Sequence, residues 1–325
     1  MKRQYIALSF SLMLFMALVS SCARLNKNTT TLPSETPSLP VSSATPIPSF
    51  TPLPIDSPTP TFTPTAIPTL PVEEAQAKLL KLLSDNGGCR LPCIWGVVLG
   101  ESPYHDAQAA LLPLSSISEL TSFTPESGAI FPVYTEGELQ IYTNIGFLAN
   151  SENKIVNHIA FNAEVHRPLA QGGYEEVFNS KFFGEKVSAY ALSHVLTEQG
   201  IPSSVMIETA GGPLTRGGTG GFDILLLYPD QGILVNYRTQ MHLNGVNVRG
   251  CPANAYVQME LYPPGQPDSF FEGLKQTDWT VKMNVDYKPL EEVTSMSVQE
   301  FYDTFREPTD KCIETPAKLW PTPEP

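Results

Sequence analysis

Residues 26–71 read "NKNTTTLPSETPSLPVSSATPIPSFTPLPIDSPTPTFTPTAIPTLP", and nothing else in the chain restricts folding as severely. Twelve of the chain's 31 prolines fall here, two to six residues apart, with Thr and Ser between them. Each proline fixes φ and removes a backbone donor, so neither a helix nor a sheet ladder runs through the segment. The stretch also holds too little apolar surface to bury, and it favours extended polyproline II. At about 3.1 Å per residue, full extension reaches on the order of 140 Å. Residues 22–71 therefore read as a disordered stalk that holds a folded module away from its point of attachment. Its Ser and Thr content permits O-glycosylation without establishing it.

The residues ahead of the stalk, "MKRQYIALSFSLMLFMALVSSCAR", place Lys2 and Arg3 before an apolar run over 5–19, followed by small residues. Residues 1–21 have the order of a secretory signal peptide, and the run is too short for an ordinary membrane span. Val19-Ser20-Ser21-Cys22 resembles the lipobox of bacterial lipoproteins. The resemblance implies that Cys22 becomes the N-terminus and carries diacylglycerol, tethering the protein to the cell membrane on its extracytoplasmic face. At about 0.8 kcal/mol per buried methylene, two or three acyl chains hold such an anchor stably. The implied first partner is the lipid bilayer.

Lys2, Arg3, Arg24 and Lys27 against Glu35 and Asp56 give residues 1–71 a net charge of +2, which leaves −15 of the chain's −13 on residues 72–325. So acidic a module repels phosphate backbones, which excludes nucleic acid as a natural partner. With Cys22 assigned to lipid, Cys89, Cys93, Cys251 and Cys312 remain. An even number in an exported chain reads as a disulfide framework with three possible connectivities. The spacing favours Cys89–Cys93 and Cys251–Cys312. Three residues between Cys89 and Cys93 argue against thiol exchange, and the distance from Cys251 to Cys312 argues against a four-cysteine zinc site.

The folded module spans 72–315, with possible halves at 72–168 and 169–315 and a flexible tail at 316–325. A helix opens after Pro71 with Leu79, Leu80, Leu82 and Leu83 as its apolar face, and Gly87-Gly88 end it. Ser102 and Pro103 start a second helix. "GAIFPVYTE", "GELQIYTNIGFLA" and "NKIVNHIAFNAEV" have strand character. A second cycle follows: "VSAYALSHVLTEQGIP" as a helix, then "SVMIETA", "FDILLLYPDQGILVNYRTQ" and "AYVQMELY" as strands. Ser297 and Glu300 fit a capping box. The expected fold class is α+β, with antiparallel sheets and helices packed on one face, built as two repeated helix–meander units.

Residues 187–238 also resemble the small two-layer domain of the SmpA/OmlA type found in outer-membrane assembly lipoproteins. The shared features are a short helix ending in Gly-Ile-Pro and strands of the form "ILLLYPDQGILVNY". The likeness covers about fifty residues, and it implies a scaffold for binding protein.

Motifs for chemistry are sparse. "GGPLTRGGTGG", 211–221, approaches a phosphate-binding loop, but Gly218 stands where the lysine must be and a strand follows it. His105, His158, His166, His194 and His242 are scattered. His194 falls seven residues after Val187 and reads as a buried side chain, and His105 and Asp106 read as pointing apart. Trp95, Trp279 and Trp320 are candidates for a sugar platform, though core positions are the commoner use. No catalytic, cofactor or metal site stands out, so the expected function is that of a binding module for a protein or a wall component. An extracytoplasmic hydrolase or a carbohydrate-binding protein is the alternative.

Overall fold

The computed structural model describes residues 69–178, 180–210, 220–277 and 279–320. The signal segment, Cys22, the stalk, the loop 211–219 and residues 321–325 lie outside them.

Helix α1 (Val72–Asp85) buries Ala75, Leu79, Leu82 and Leu83 in one stripe and carries Glu73 and Glu74 in its first turn, where the helix dipole favours acids. It ends at Asn86, a left-handed residue (φ 53°) whose N–H bonds the Leu82 carbonyl. Helix α2 (Tyr104–Leu111) starts one residue later than the Ser102–Pro103 reading. Pro103 stays extended outside the helix, and the Ser102 hydroxyl accepts from the Val98 amide at 2.9 Å.

Four strands then form a meander: β1 (Ser118–Phe123), β2 (Ser127–Glu136), β3 (Leu139–Ala149) and β4 (Val156–Pro168). A short β5 (Tyr174–Glu176) pairs with the end of β4. The helix expected over 187–200 is interrupted. After α3 (Lys181–Lys186), a 3-10 turn covers Ser188–Tyr190, Ala191 is extended (φ −60°, ψ 145°), and α4 runs over Leu192–Gln199.

The second meander is β6 (Ser204–Ala210), β7 (Gly221–Tyr228), β8 (Ile233–Asn244), a side hairpin through β9 (Asn247–Gly250), and β10 (Tyr256–Leu261). The Pro229–Gln231 turn joins β7 to β8 through Gly232 (φ 70°). A Cβ at Gly232 would collide with the Tyr262 carbonyl oxygen, so glycine is required there. The chain closes with α5 (Pro267–Gln276), α6 (Trp279–Val285), β11 (Lys288–Pro289), α7 (Leu290–Val293), α8 (Val298–Phe305) and β12 (Ile313–Pro316). The capping box forms on α8: the Ser297 hydroxyl accepts from the Glu300 amide at 3.2 Å, and Glu300 Oε2 accepts from the Ser297 amide at 2.8 Å.

The architecture is α+β, as the patterning predicts, with two helix-then-meander halves. They share one continuous sheet in the order β1-β2-β3-β4-β10-β8-β7-β6-β11. The halves meet through their last strands, with Met259 opposite Phe161 across the β10–β4 seam. Side chains alternate between faces. Ile145, Phe161, Met259, Val235 and Ile224 point to one face, where α1, α4 and α8 cover them in the main core. Leu225, Leu227 and Leu234 point to the other, where Phe270 and Leu274 of α5 and Trp279 of α6 make a separate small core. β7 is therefore buried on both faces and reads as an unbroken apolar run apart from Asp223. The α5–α6 pair covers only the second meander, and Leu120 and Leu148 of the first stay about half exposed. Among the described residues no helix is long and apolar enough to cross a membrane.

Candidate functional site

Where α6 stops short of the first meander, the sheet face opens into a cavity of about 360 Å³. Its floor follows from strand register. Asn144 pairs with Asn162, Asn162 with Gln258, and Gln258 with Asn236, so four amides cross the sheet in one row. The adjacent row has Glu164 beside the β4–β10 seam, then Arg238 opposite Asp223 and Asp223 opposite Glu208. Trp279, Lys282, Asp286 and Tyr287 form the wall.

Part of this polar floor is committed. Asp223 is almost wholly buried and accepts from Arg238 Nε at 3.1 Å and Nη2 at 3.2 Å, and from Asn236 Nδ2 at 2.9 Å. A buried carboxylate needs such pairing to stay charged. Burial works against the Arg238 guanidinium, and the adjoining Asp223 carboxylate more than offsets it, so its pKa rises. Tyr287 donates to Asn236 Oδ1 at 3.3 Å, and burial beside Asp223 and Glu208 keeps its hydroxyl protonated. The remaining groups are open. The Asn162 and Gln258 amides face each other without a hydrogen-bond partner among the described residues. Glu208 is the most perturbed acid. Burial first, then the Asp223 and Asp286 carboxylates, push its pKa up to about 7 against the opposing pull of Arg238 and Tyr287.

The histidines stand elsewhere. His158 Nε2 lies 2.7 Å from Glu260 Oε2, and Trp279 Nε1 donates to the other oxygen of Glu260 at 3.1 Å, which satisfies that buried acid. His166 is buried, stacked under Tyr174 at 3.9 Å, with its Nε2 3.0 Å from Glu164 Oε1. His242 is exposed. Two expectations are corrected. His194 is about half exposed, 3.6 Å from Glu198, because the break at Ala191 removes the helical count from Val187. His105 and Asp106 pair at 3.0 Å on the exposed first turn of α2, where both side chains swing outward.

Trp95, Trp279 and Trp320 are 5%, 3% and 8% exposed, and each indole N–H is engaged, so they form no sugar platform. The Gly-rich loop 211–219 lies outside the described residues. Among the described residues no three His, Cys, Asp or Glu side chains gather closely enough to hold a metal ion.

The cysteines pair as Cys89–Cys93 and Cys251–Cys312, with Cα separations of 5.8 and 4.1 Å. The first bridge closes a loop around Asn86, a buried hub. Its Nδ2 donates to the Cys89 and Cys93 carbonyls at 2.8 and 2.9 Å, and its Oδ1 accepts from the Trp95 amide and the Tyr190 hydroxyl. The second joins the end of β9 to the residue before β12.

Sequence reasoning missed Glu164, Glu208, Asp223, Asn236, Arg238 and Asp286. The available signal was one or two polar residues on the same alternation of each apolar strand: Glu208 in "SVMIETA", Asp223 in "FDILLLY", Asn236 and Arg238 in "ILVNYRTQ". Comparison with known proteins finds no matching family model, no matching curated protein and no matching solved structure.

Proposed function

We propose that this protein is a lipoprotein anchored through Cys22 on the extracytoplasmic face of the cell membrane, and that its folded part is a binding module. On this reading the polar cavity on the open sheet face engages a ligand of the cell envelope. One observation carries it: a formed cavity whose floor presents the unengaged amides of Asn162 and Gln258 at one end and a half-buried, perturbed Glu208 at the other. Folding alone does not favour open polar groups on a sheet face and, toward its β6 edge, a carboxyl pushed up by burial and like charge, and such groups cluster where ligands bind. The stalk then gives the module reach, and the two disulfides suit an oxidising compartment.

The anchor has its own test. Radiolabelled palmitate is expected to enter the wild-type protein, and Cys22→Ser is expected to lose the label and appear in the soluble fraction. An unlabelled wild-type protein, or one that fractionates with the cytosol, would overturn the assignment.

A hydrolase is the second reading, and Glu208 favours it. A carboxyl near 7 beside a second carboxyl held by Arg238 and Asn236 has the differing environments of an acid–base pair. Asp223, however, spends its acceptors on Arg238 and Asn236, which leaves it poorly placed to act as a base or nucleophile.

A further inference from the structure

The sheet ends at β1, and among the described residues no strand pairs with its outer edge. The Thr124 amide donates to the Ser127 carbonyl at 2.8 Å, across the turn into β2. Backbone groups alternate direction along an antiparallel strand, so Thr121 and Phe123 turn their N–H and C=O groups outward. Leu120 beside them is 53% exposed. An open edge of this kind is a template for pairing, and proteins cover or block it. One segment of the chain itself has the pattern to cover it. From Thr45 to Leu70 all eight prolines fall on even positions, and every odd position holds Thr, Ser, Ile or Leu. Prolines bar a ladder through the middle of a sheet, where a strand bonds on both sides, but not a strand that bonds on one side. With this alternation the odd residues of an extended chain present intact N–H and C=O groups to one edge, and the prolines lie on the other.

The point of entry is close. The Leu70 amide donates to the Pro113 carbonyl at 3.0 Å, and a 3-10 turn over Leu112–Ile117 leads straight into β1. At about 2.0 Å per residue in that turn and about 3.3 Å in a strand, Thr121 stands at most about 20 Å from Pro113. Five extended residues back from Leu70, to Thr65, cover about 17 Å. We infer that residues 62–68 add to the sheet as its outermost strand, antiparallel to β1, with Thr65 opposite Thr121 and Thr63 opposite Phe123. The new outer edge then has no donor at Pro64 or Pro68, so it cannot template a further strand. The tether favours this occupant over a second copy. A linked segment acts at an effective concentration in the roughly millimolar range, whereas two modules with −15 on residues 72–325 repel each other. The stalk therefore leaves the module beside the β1–β2 turn rather than at α1. Residues 22–61 remain as the spacer and still extend to on the order of 120 Å.

Hydrogen exchange of the full chain, read by NMR at the Thr121 and Phe123 amides, tests the docking. Both amides are expected to be protected in the wild type. Thr63→Pro and Thr65→Pro each remove a ladder donor, and each is expected to speed exchange at both amides about tenfold. Ala66→Pro, one residue from Thr65, puts its ring on the outer edge and is expected to leave both rates within about twofold of the wild type. All three positions precede α1 and contribute nothing to the main core among the described residues, so the variants keep the fold. Wild-type Thr121 and Phe123 exchanging as fast as in a free peptide would overturn the inference. Equal acceleration by Thr65→Pro and Ala66→Pro would show that position along the alternation does not matter, and would overturn it as well. Protection that rises with protein concentration would give the edge to a second copy and reject the stalk as its occupant.

Discussion

Replacing Asn86 by alanine is expected to destabilise the folded module by about 4 kcal/mol, measured by urea denaturation. The side chain is 5% exposed and uses its full hydrogen-bonding capacity. It donates to the Cys89 and Cys93 carbonyls and accepts from the Trp95 amide at 3.2 Å and the Tyr190 hydroxyl at 2.8 Å. Alanine takes this partner from the Cys89 and Cys93 carbonyls and the Trp95 amide, while the Tyr190 hydroxyl keeps the Leu82 carbonyl at 3.4 Å, and a buried polar group without a partner costs about 1–3 kcal/mol each before relaxation. The backbone adds to the loss, because Asn86 sits at φ 53°, where alanine pays about 1 kcal/mol more than asparagine or glycine. Asn86→Gly should therefore fall short of Asn86→Ala by about that amount. The hub matters because Tyr190 and Trp95 pack on Phe161 at 4.6 and 6.0 Å, which ties the small loop to the sheet. A loss below about 1 kcal/mol in Asn86→Ala would contradict this picture.

The second large effect concerns the bridges. Cys251→Ser with Cys312→Ser is expected to cost about 4 kcal/mol, because the bridge closes a chain separation of 61 residues in the unfolded state. Cys89→Ser with Cys93→Ser, at a separation of 4, should cost about 2 kcal/mol or less, since Asn86 already holds that loop through hydrogen bonds. The long bridge also holds β12 beside β9, with Glu314 opposite Arg249, so reduction should release the C-terminal segment first. Urea denaturation of the two double variants beside the wild type compares the bridges directly, and a larger loss from the short bridge would contradict the ranking.

What could be seen in the chain was local. The strands of both meanders, the turn Pro229–Gly232 and the capping box at Ser297 and Glu300 each declare themselves within about ten residues. The end of α1 shows the limit of that reasoning. Gly87-Gly88 looked like the stop signal, yet Asn86 is the left-handed residue, and its role depends on Trp95 and Tyr190, the latter 104 residues away. The candidate site was hidden for the same reason. Glu164 and Arg238 belong to different meanders, and only the β4–β10 seam, which joins Ala163 to Val257, puts them on one face. Alternation in a strand says which residues share a face but not which strand lies next to it. The covering of that face by α5–α6 over one half alone is equally non-local, and it creates the cavity.

The cavity also has a cost that can be read in stability. Glu208 titrates near 7 in the folded protein and near the ordinary carboxyl value when unfolded. A raised folded pKa gives stability that is full below about pH 4.5 and is lost as pH rises to about 7. Glu208→Gln, which removes the charge and keeps the shape, should therefore be more stable than the wild type above that window and close to it below. Such a group kept at the expense of stability marks a site with another use. The most direct measurement is a carboxyl-carbon NMR titration of the unliganded full chain, with the Glu208 signal assigned by Glu208→Gln. A midpoint near 7 is expected, from burial and the Asp223 and Asp286 carboxylates. A midpoint in the ordinary range near 4.5 would mean a solvated, uncrowded acid, and the cavity would lose its claim to be a built binding site.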